Sequence, residues 1–272
     1  MLWKRILTAV VAVPIVVPFM MYAGPVANFV FFLLVALWAL TEYFAMAFPD
    51  DAAVRRMGTA TGGALYAVWG LAIIFDAGPL AFHLPLLIAF TAMFFFFVFR
   101  TGDIQTVAHR IGSAVLGIVY VDCLIIFFVA LLHLPDGWKC VTMLLAIVWL
   151  TDTGGYFGGK YFGRRKLYEK VSPKKTWEGA VGGTIFGIAS AFLFAWMLSI
   201  DWPAHHIVLA ALGTSAIGQV GDLAESLLKR SYGIKDSGRL IPGHGGILDR
   251  IDAVMFGAPF FYYYITLLNV VK

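Results

Sequence analysis

Apolar runs long enough to cross a bilayer follow one another along almost the whole chain, at roughly residues 6–22, 26–48, 59–75, 84–99, 111–132, 139–157, 179–200, 206–228 and 252–270. A helix needs about 20 apolar residues to span the hydrocarbon layer. The runs therefore predict an all-α, polytopic membrane protein with about nine transmembrane helices. Composition agrees: 61% of the 272 residues are hydrophobic and 13% are charged, which excludes an ordinary soluble domain. The first run follows Lys4 and Arg5 and has no small-residue cleavage site, so it reads as a retained span rather than a signal peptide, kinked at Pro14 and Pro18.

The cations set the orientation. With a cytoplasmic N-terminus, nine crossings place every Lys and Arg except Lys139 and Lys272 at the N-terminus or in 49–58, 100–110, 158–178 and 229–251, all on one side. Short loops at 76–85, 133–137 and 201–206 face the other way and carry almost no cations. Positive charge is retained on the cytoplasmic side, so the reading is a cytoplasmic N-terminus and an exterior C-terminus. The net charge of +4 is then a topology signal and an attraction to anionic headgroups, with no nucleic acid implied. Cys123 and Cys140 lie in apolar runs without a metal-binding or disulfide spacing and read as free, structural thiols.

Two parts of unequal character form one integral unit: residues 1–150 read as membrane scaffold, and 151–272 as the part that carries chemistry. The scaffold is interrupted by Glu42 and Asp122, each either a buried hydrogen bond between helices or a functional acid. From Asp152 the polar residues gather. In "TDTGGYFGGKYFGRRK", Asp152 and Thr153 end an apolar run and are expected to face water at its end. Gly154 to Gly158, Gly155 to Gly159, Gly179 to Gly183 and Gly183 to Gly187 have the small-xxx-small spacing of close helix packing, and this spacing suits a homodimer. In "SPKKTWEG", Ser172 before Pro173 reads as a helix start, while Lys174, Lys175 and Thr176 offer donors to phosphate oxygens or simply mark a positive-inside loop.

Asp222 lies seven residues before Lys229, about 10 Å deeper on a helix, and shares a face with Glu225. Such a buried carboxylate pair requires a cation, from the protein or a metal. Asp249 and Asp252 are three apart in "IPGHGGILDRID" and face one way, with Arg250 turned elsewhere. Gly243, Gly245 and Gly246 let the backbone turn tightly beside them. The intervening loop is short enough for Asp222 and Asp249 to meet. Carboxylates, cations and freed backbone at a membrane surface suit a divalent metal bound to phosphates.

Ser226, Leu228, Lys229 and Arg230, followed by Lys235, Asp236, Gly238, Pro242, His244, Gly245, Gly246, Ile247, Asp249, Arg250, Ile251 and Asp252, resemble the signature of phosphatidate cytidylyltransferases, the CDP-diacylglycerol synthases. "SPKKTWEG" and "TDTGGYFGG" are similar to the family's upstream motifs, so the resemblance covers about residues 150–260. It implies transfer of the cytidylyl group of CTP to phosphatidate, with pyrophosphate released, at the inner face of a bacterial cytoplasmic membrane. It implies Mg²⁺, alone or with a second cation, held by Asp222 and Asp249. Lys229, Arg230 and Arg250 would join these two aspartates as catalytic groups. Asp152, Lys174, Lys175, Thr176, Ser226, Lys235, Asp236, His244, Gly245, Gly246 and Asp252 would bind substrate. Two other readings compete: a CTP-dependent lipid kinase that transfers the γ-phosphoryl group, and an ion path through Glu42, Asp122 and Asp222. The path leaves residues 226–252 unexplained.

Overall fold

A computed structural model describes residues 15–100, 104–238 and 245–270. Eight long helices carry the fold: α1 (Gly24–Ala47), α2 (Ala52–Ile74), α3 (Leu80–Val98), α4 (Val107–His133), α5 (Gly137–Phe162), α6 (Trp177–Met197), α7 (Ala204–Ser231) and α8 (Leu248–Leu267). Residues 15–22 are helical as well. Among the described residues, α1 to α7 are long and apolar enough to cross a membrane. The expected 6–22 span falls mostly outside the described residues. The expected 252–270 span corresponds to α8, a 20-residue helix that is not among those seven and has Asp249, Arg250 and Asp252 at its start.

Among the described residues the all-α expectation is borne out, with one small addition. Between α5 and α6 the chain forms an antiparallel hairpin of β1 (Lys166–Tyr168) and β2 (Ser172–Thr176), pairing Lys166 with Thr176 and Tyr168 with Ser172. Ser172 is therefore a strand residue and not a helix start. The cap of α6 is Thr176, whose Oγ1 accepts from Gly179 N–H at 3.1 Å, satisfying one of the donors left open at a helix start. The carboxylate of Glu178 accepts from the N–H groups of Arg164 and Arg165 and closes the base of the hairpin.

Helix termini sort onto two ends of the bundle. At one end Asp51 caps α2 through Val54 N–H and pairs with Arg110 at 2.5 Å and Arg100 at 3.4 Å, joining the turn before α2 to the connection before α4. At the other, His133 at the end of α4 lies 3.3 Å from Asp76, and His206 at the start of α7 lies 2.9 Å from Tyr264 near the end of α8. The cationic connections are grouped at the first end, in keeping with alternating crossings.

With apolar lipid all round, helices associate through close packing and internal hydrogen bonds rather than through the hydrophobic effect. In α1, Phe29, Tyr43 and Phe44 fill the spaces over Gly70, Gly117 and Gly58, where any Cβ would collide with the rings. Between α5 and α6 the backbones themselves meet: a Cβ on Gly158 would stand 3.1 Å from the carbonyl of Glu178, and one on Gly183 would stand 2.6 Å from that of Thr151. The small-xxx-small spacings are thus spent within the chain, and the homodimer loses the support drawn from them. Thr151 Oγ1 and Ser215 Oγ, 2.6 Å apart, tie α5 to α7 behind this seam.

Candidate active site

The charged end of the bundle is built on α7 and α8. Helix α7 continues beyond its apolar stretch to Ser231, placing Asp222, Glu225 and Lys229 on successive turns of one face. Lys229, with 11% of its side chain exposed, reaches Glu225, which is 2% exposed, and lies 2.5 Å from Asp249 at the start of α8. Asp222 pairs with Lys175 of β2 at 2.5 Å. The cation that the Asp222 and Glu225 pair called for therefore comes from the protein, through one lysine brought by the hairpin and another on α7 itself. Removing Lys229 costs about 3–5 kcal/mol because its buried partners are left charged and uncompensated.

Asp249 is held unequally. Its Oδ2 accepts from Ser237 N–H at 3.0 Å, Ser237 O–H at 2.9 Å and Gly246 N–H at 2.8 Å, while Oδ1 faces Lys229. Gly245 has φ +77°, the left-handed region that favours glycine, and a Cβ there would run into the Asp249 carboxylate. The glycines before α8 thus wrap backbone around a side chain.

Asp252, one turn further along α8, lies within electrostatic reach of Asp222, Glu225 and Asp152. Tyr120 of α4 senses Asp222, Glu225, Asp249 and Asp252 together, so these four acids share one neighbourhood. Asp222 and Asp249 meet through that neighbourhood and its lysines rather than by direct contact. Asp152 is exposed and lies within α5, which runs on to Phe162, rather than at its end.

Other sequence candidates stand further out. Lys174, Lys235 and Asp236 are exposed, Ser226 and Arg250 are half-buried, and the Thr176 hydroxyl serves as the α6 cap. Arg230 Nη1 donates to the carbonyl of Ile234 at 3.2 Å and steadies the chain leaving α7. His244, with Gly243 and Pro242, lies outside the described residues.

Three residues enter that the sequence reading had not assigned to the site. Glu42 of α1, 6% exposed, accepts from Ile247 N–H at 2.9 Å, Leu248 N–H at 3.0 Å and Ser237 O–H at 3.2 Å. A carboxylate at a helix N-terminus answers both the open donors and the helix dipole, each charge-assisted bond contributing about 1.5–3 kcal/mol. Ser237 is the second residue. The third is Tyr120, whose buried hydroxyl has no hydrogen-bond partner among the described residues. An acid inside an apolar run was the only signal that marked Glu42. By contrast Asp122 of α4, fully buried, has both carboxylate oxygens without a hydrogen-bond partner among the described residues.

The donor set can be tested for a divalent cation. Among the described residues no three His, Cys, Asp or Glu side chains are grouped closely enough to hold a metal by themselves. Mg²⁺ needs no such cage: one or two carboxylates suffice when phosphate oxygens and water complete the shell. Around Asp222, Glu225, Asp249 and Asp252, Lys175 pairs with Asp222, and Lys229 pairs with Glu225 and Asp249. Four carboxylates in one neighbourhood, with Asp249 Oδ1 facing an ammonium, suit a cation that arrives with a polyphosphate.

Together these features define a polytopic membrane protein with a mixed acid and lysine site at the charged end of its bundle, a class suited to anionic substrates at a membrane surface. The cytidylyltransferase family model matches residues 3–268, and the chain belongs to that family. It is similar to phosphatidate cytidylyltransferases of Brucella suis biovar 1, with 34% identity over 266 residues, 96% of this chain and 92% of that protein, and of Synechocystis, with 33% identity over 295 residues, 97% of each. It is also 39% identical over 161 residues to the Bacillus subtilis phosphatidate cytidylyltransferase, a match covering 59% of this chain and 60% of that protein.

Proposed function

We propose that the lysine and carboxylate cluster between β2, α7 and α8 is the place where the cytidylyl group of CTP passes to phosphatidate, giving CDP-diacylglycerol and pyrophosphate. The observation that carries this is the pair of bridges Lys175 to Asp222 and Lys229 to Asp249 at one end of the bundle. An oxygen of the phosphatidate headgroup attacks the α-phosphorus of CTP, and the bond to the β-phosphate oxygen breaks. The attacking oxygen is already anionic, so no side chain need act as nucleophile. The work is to bring two polyanions together and hold attacker and leaving group in line.

Lys175 and Lys229 are the side chains placed for it. Each is held by carboxylates at rest and can turn its ammonium to phosphate oxygens, leaving Asp222 and Asp249 free. Those two aspartates would hold Mg²⁺, alone or with a second cation, which when bound neutralises phosphate charge and stabilises departing pyrophosphate. Asp152 and Asp252 stand behind them. Arg230, Arg250, Lys174, Lys235 and the segment around His244 supply further contacts for the nucleotide.

Phosphatidate, with two acyl chains, approaches sideways from the leaflet. A groove beside the hairpin supports this, lined by Phe157, Tyr161, Trp177 and Ile185 together with Arg164 and Arg165. The topology we favour has nine crossings, with α8 and the segment 6–22 added to α1–α7, a cytoplasmic N-terminus and an exterior C-terminus. The site then faces the cytoplasm of a bacterial inner membrane.

The test is incubation of detergent-purified protein with labelled CTP, phosphatidate and Mg²⁺, with an EDTA control. CDP-diacylglycerol and pyrophosphate are expected in equal amounts, with loss of both under EDTA. CDP together with a newly phosphorylated lipid would instead mean γ-phosphoryl transfer and end the proposal. Asp249→Asn is expected to reduce turnover by about 10³-fold, the scale of removing one preorganised electrostatic group.

A further inference from the structure

We infer that Glu42 is a positioning residue for the transfer: from the scaffold half it fixes which carboxylate oxygen of Asp249 faces the site. The inference rests on Asp249 belonging to that site. Glu42 holds both ends of the connection between α7 and α8, taking Ser237 O–H on one side and the N–H groups of Ile247 and Leu248 on the other. Ser237 then presents its N–H to Asp249 Oδ2 and shares its single hydroxyl proton between Glu42 Oε2 at 3.2 Å and Asp249 Oδ2 at 2.9 Å. Gly246 N–H completes that set. With Oδ2 so occupied, Oδ1 is the oxygen turned to Lys229.

The backbone is shaped around this arrangement. A Cβ on Gly238 would stand 2.6 Å from Glu42 Oε1, and one on Gly246 would collide with Glu42 Oε2 and Ser237 Oγ. A carboxylate serving only to bind α1 to α8 needs no hydroxyl shared with Asp249 and no bare backbone on both flanks. Glu42 touches none of the reacting groups and acts through Ser237 and Asp249.

Glu42→Gln keeps the side chain's size but sets an amide NH₂ against backbone donors. In purified full-length protein its kcat is expected to fall about 10–100-fold, the range for residues that orient a ligand from behind. KM for CTP and for phosphatidate should stay within about threefold. Added to Asp249→Asn it should cause no further loss, because both act on one carboxylate. Hydrogen exchange, measured without nucleotide or metal, should quicken at the amides of residues 246–248 and nowhere in α5 or α6. Glu42→Asp should recover part of kcat. Should Glu42→Ala fail to fold, the Gln and Asp variants decide the matter alone.

Wild-type kcat in a folded Glu42→Gln protein overturns the inference. So does a loss that adds fully to that of Asp249→Asn with a lowered melting temperature, which marks a merely structural tie. Full turnover by Asp249→Asn sinks the proposed site itself, a different failure from an active Glu42→Gln beside an inactive Asp249→Asn.

Discussion

The seam between α5 and α6 and the junction between α7 and α8 hold neighbouring helices together by opposite means. At the seam, glycines bring backbone against backbone: Gly183 has no room for a methyl group, and at Gly158 one would fit only tightly. At the junction, Lys229 stands between Glu225 and Asp249, with Glu42 and Ser237 behind. Packing of the first kind is tight and chemically inert. Charges set below a membrane surface are costly to bury, and the proposed function gives the junction a reason to retain them. The two contacts should therefore respond differently to mutation: one in stability alone, the other in turnover first.

Lys229→Met gives the largest effect. It leaves Glu225 and Asp249 buried without their cation, at a cost of about 3–5 kcal/mol, and removes the phosphate contact proposed for it, so turnover should fall about 10³-fold. Turnover per folded molecule and thermal melting in the same detergent measure the two losses. A Met variant with native turnover would make the junction as inert as the seam.

Gly183→Leu tests the other side. Its Cβ would press on the carbonyl of Thr151, and overpacking of this kind costs about 1–3 kcal/mol. The melting temperature should drop, while kcat of the surviving folded fraction stays near wild type. A selective loss of kcat would show that the seam takes part in catalysis.

The same contrast explains what was legible in the sequence. Glycine spacing and apolar runs are local signals, so the helices and the glycine seam could be anticipated from adjacent residues. The lysine and carboxylate residues of the junction also stood within one dense stretch. Glu42 was visible as an acid in an apolar run, yet Ser237 is 195 positions away, and nothing local links them. The hairpin was hidden for a related reason. Ser172 and Pro173 have the look of a cap followed by a first helical residue, but β2 is fixed by pairing with Lys166–Tyr168, and the helix waits for Thr176. Lys175 reaches Asp222 only because of that strand.

Lys175→Gln refines the comparison within the site. Its bridge to Asp222 is more open than that of Lys229, at 27% and 28% side-chain exposure, so its contribution to stability should be below about 1 kcal/mol. Under the proposed function its use is in binding the nucleotide. KM for CTP is expected to rise about tenfold with melting almost unchanged, as for the loss of one charged hydrogen bond. A fall in melting temperature matching that of Lys229→Met would mean that both lysines are structural.

The smallest effect lies at Asp51, a charged contact at the same end of the bundle but away from the acid cluster. Burial pushes its carboxyl up, and the Val54 N–H together with Arg110 and Arg100 pulls it further down, so the net result is below the usual carboxylate range. A folded-state pKa lowered in this way contributes stability that is present above the unfolded value, about 3.9, and is lost as pH falls through the lower folded value. Asp51→Asn should therefore melt slightly earlier than wild type at neutral pH, by under about 1 kcal/mol for so exposed a group. The two melting curves should converge as pH drops below about 4. Turnover at neutral pH should be unchanged, because Asp51 joins connections and touches none of the acids around Lys229. A gap that persisted in acid would mean that Asp51 acts through its cap geometry rather than its charge, and a loss of turnover would extend the functional region across the whole cationic end of the bundle.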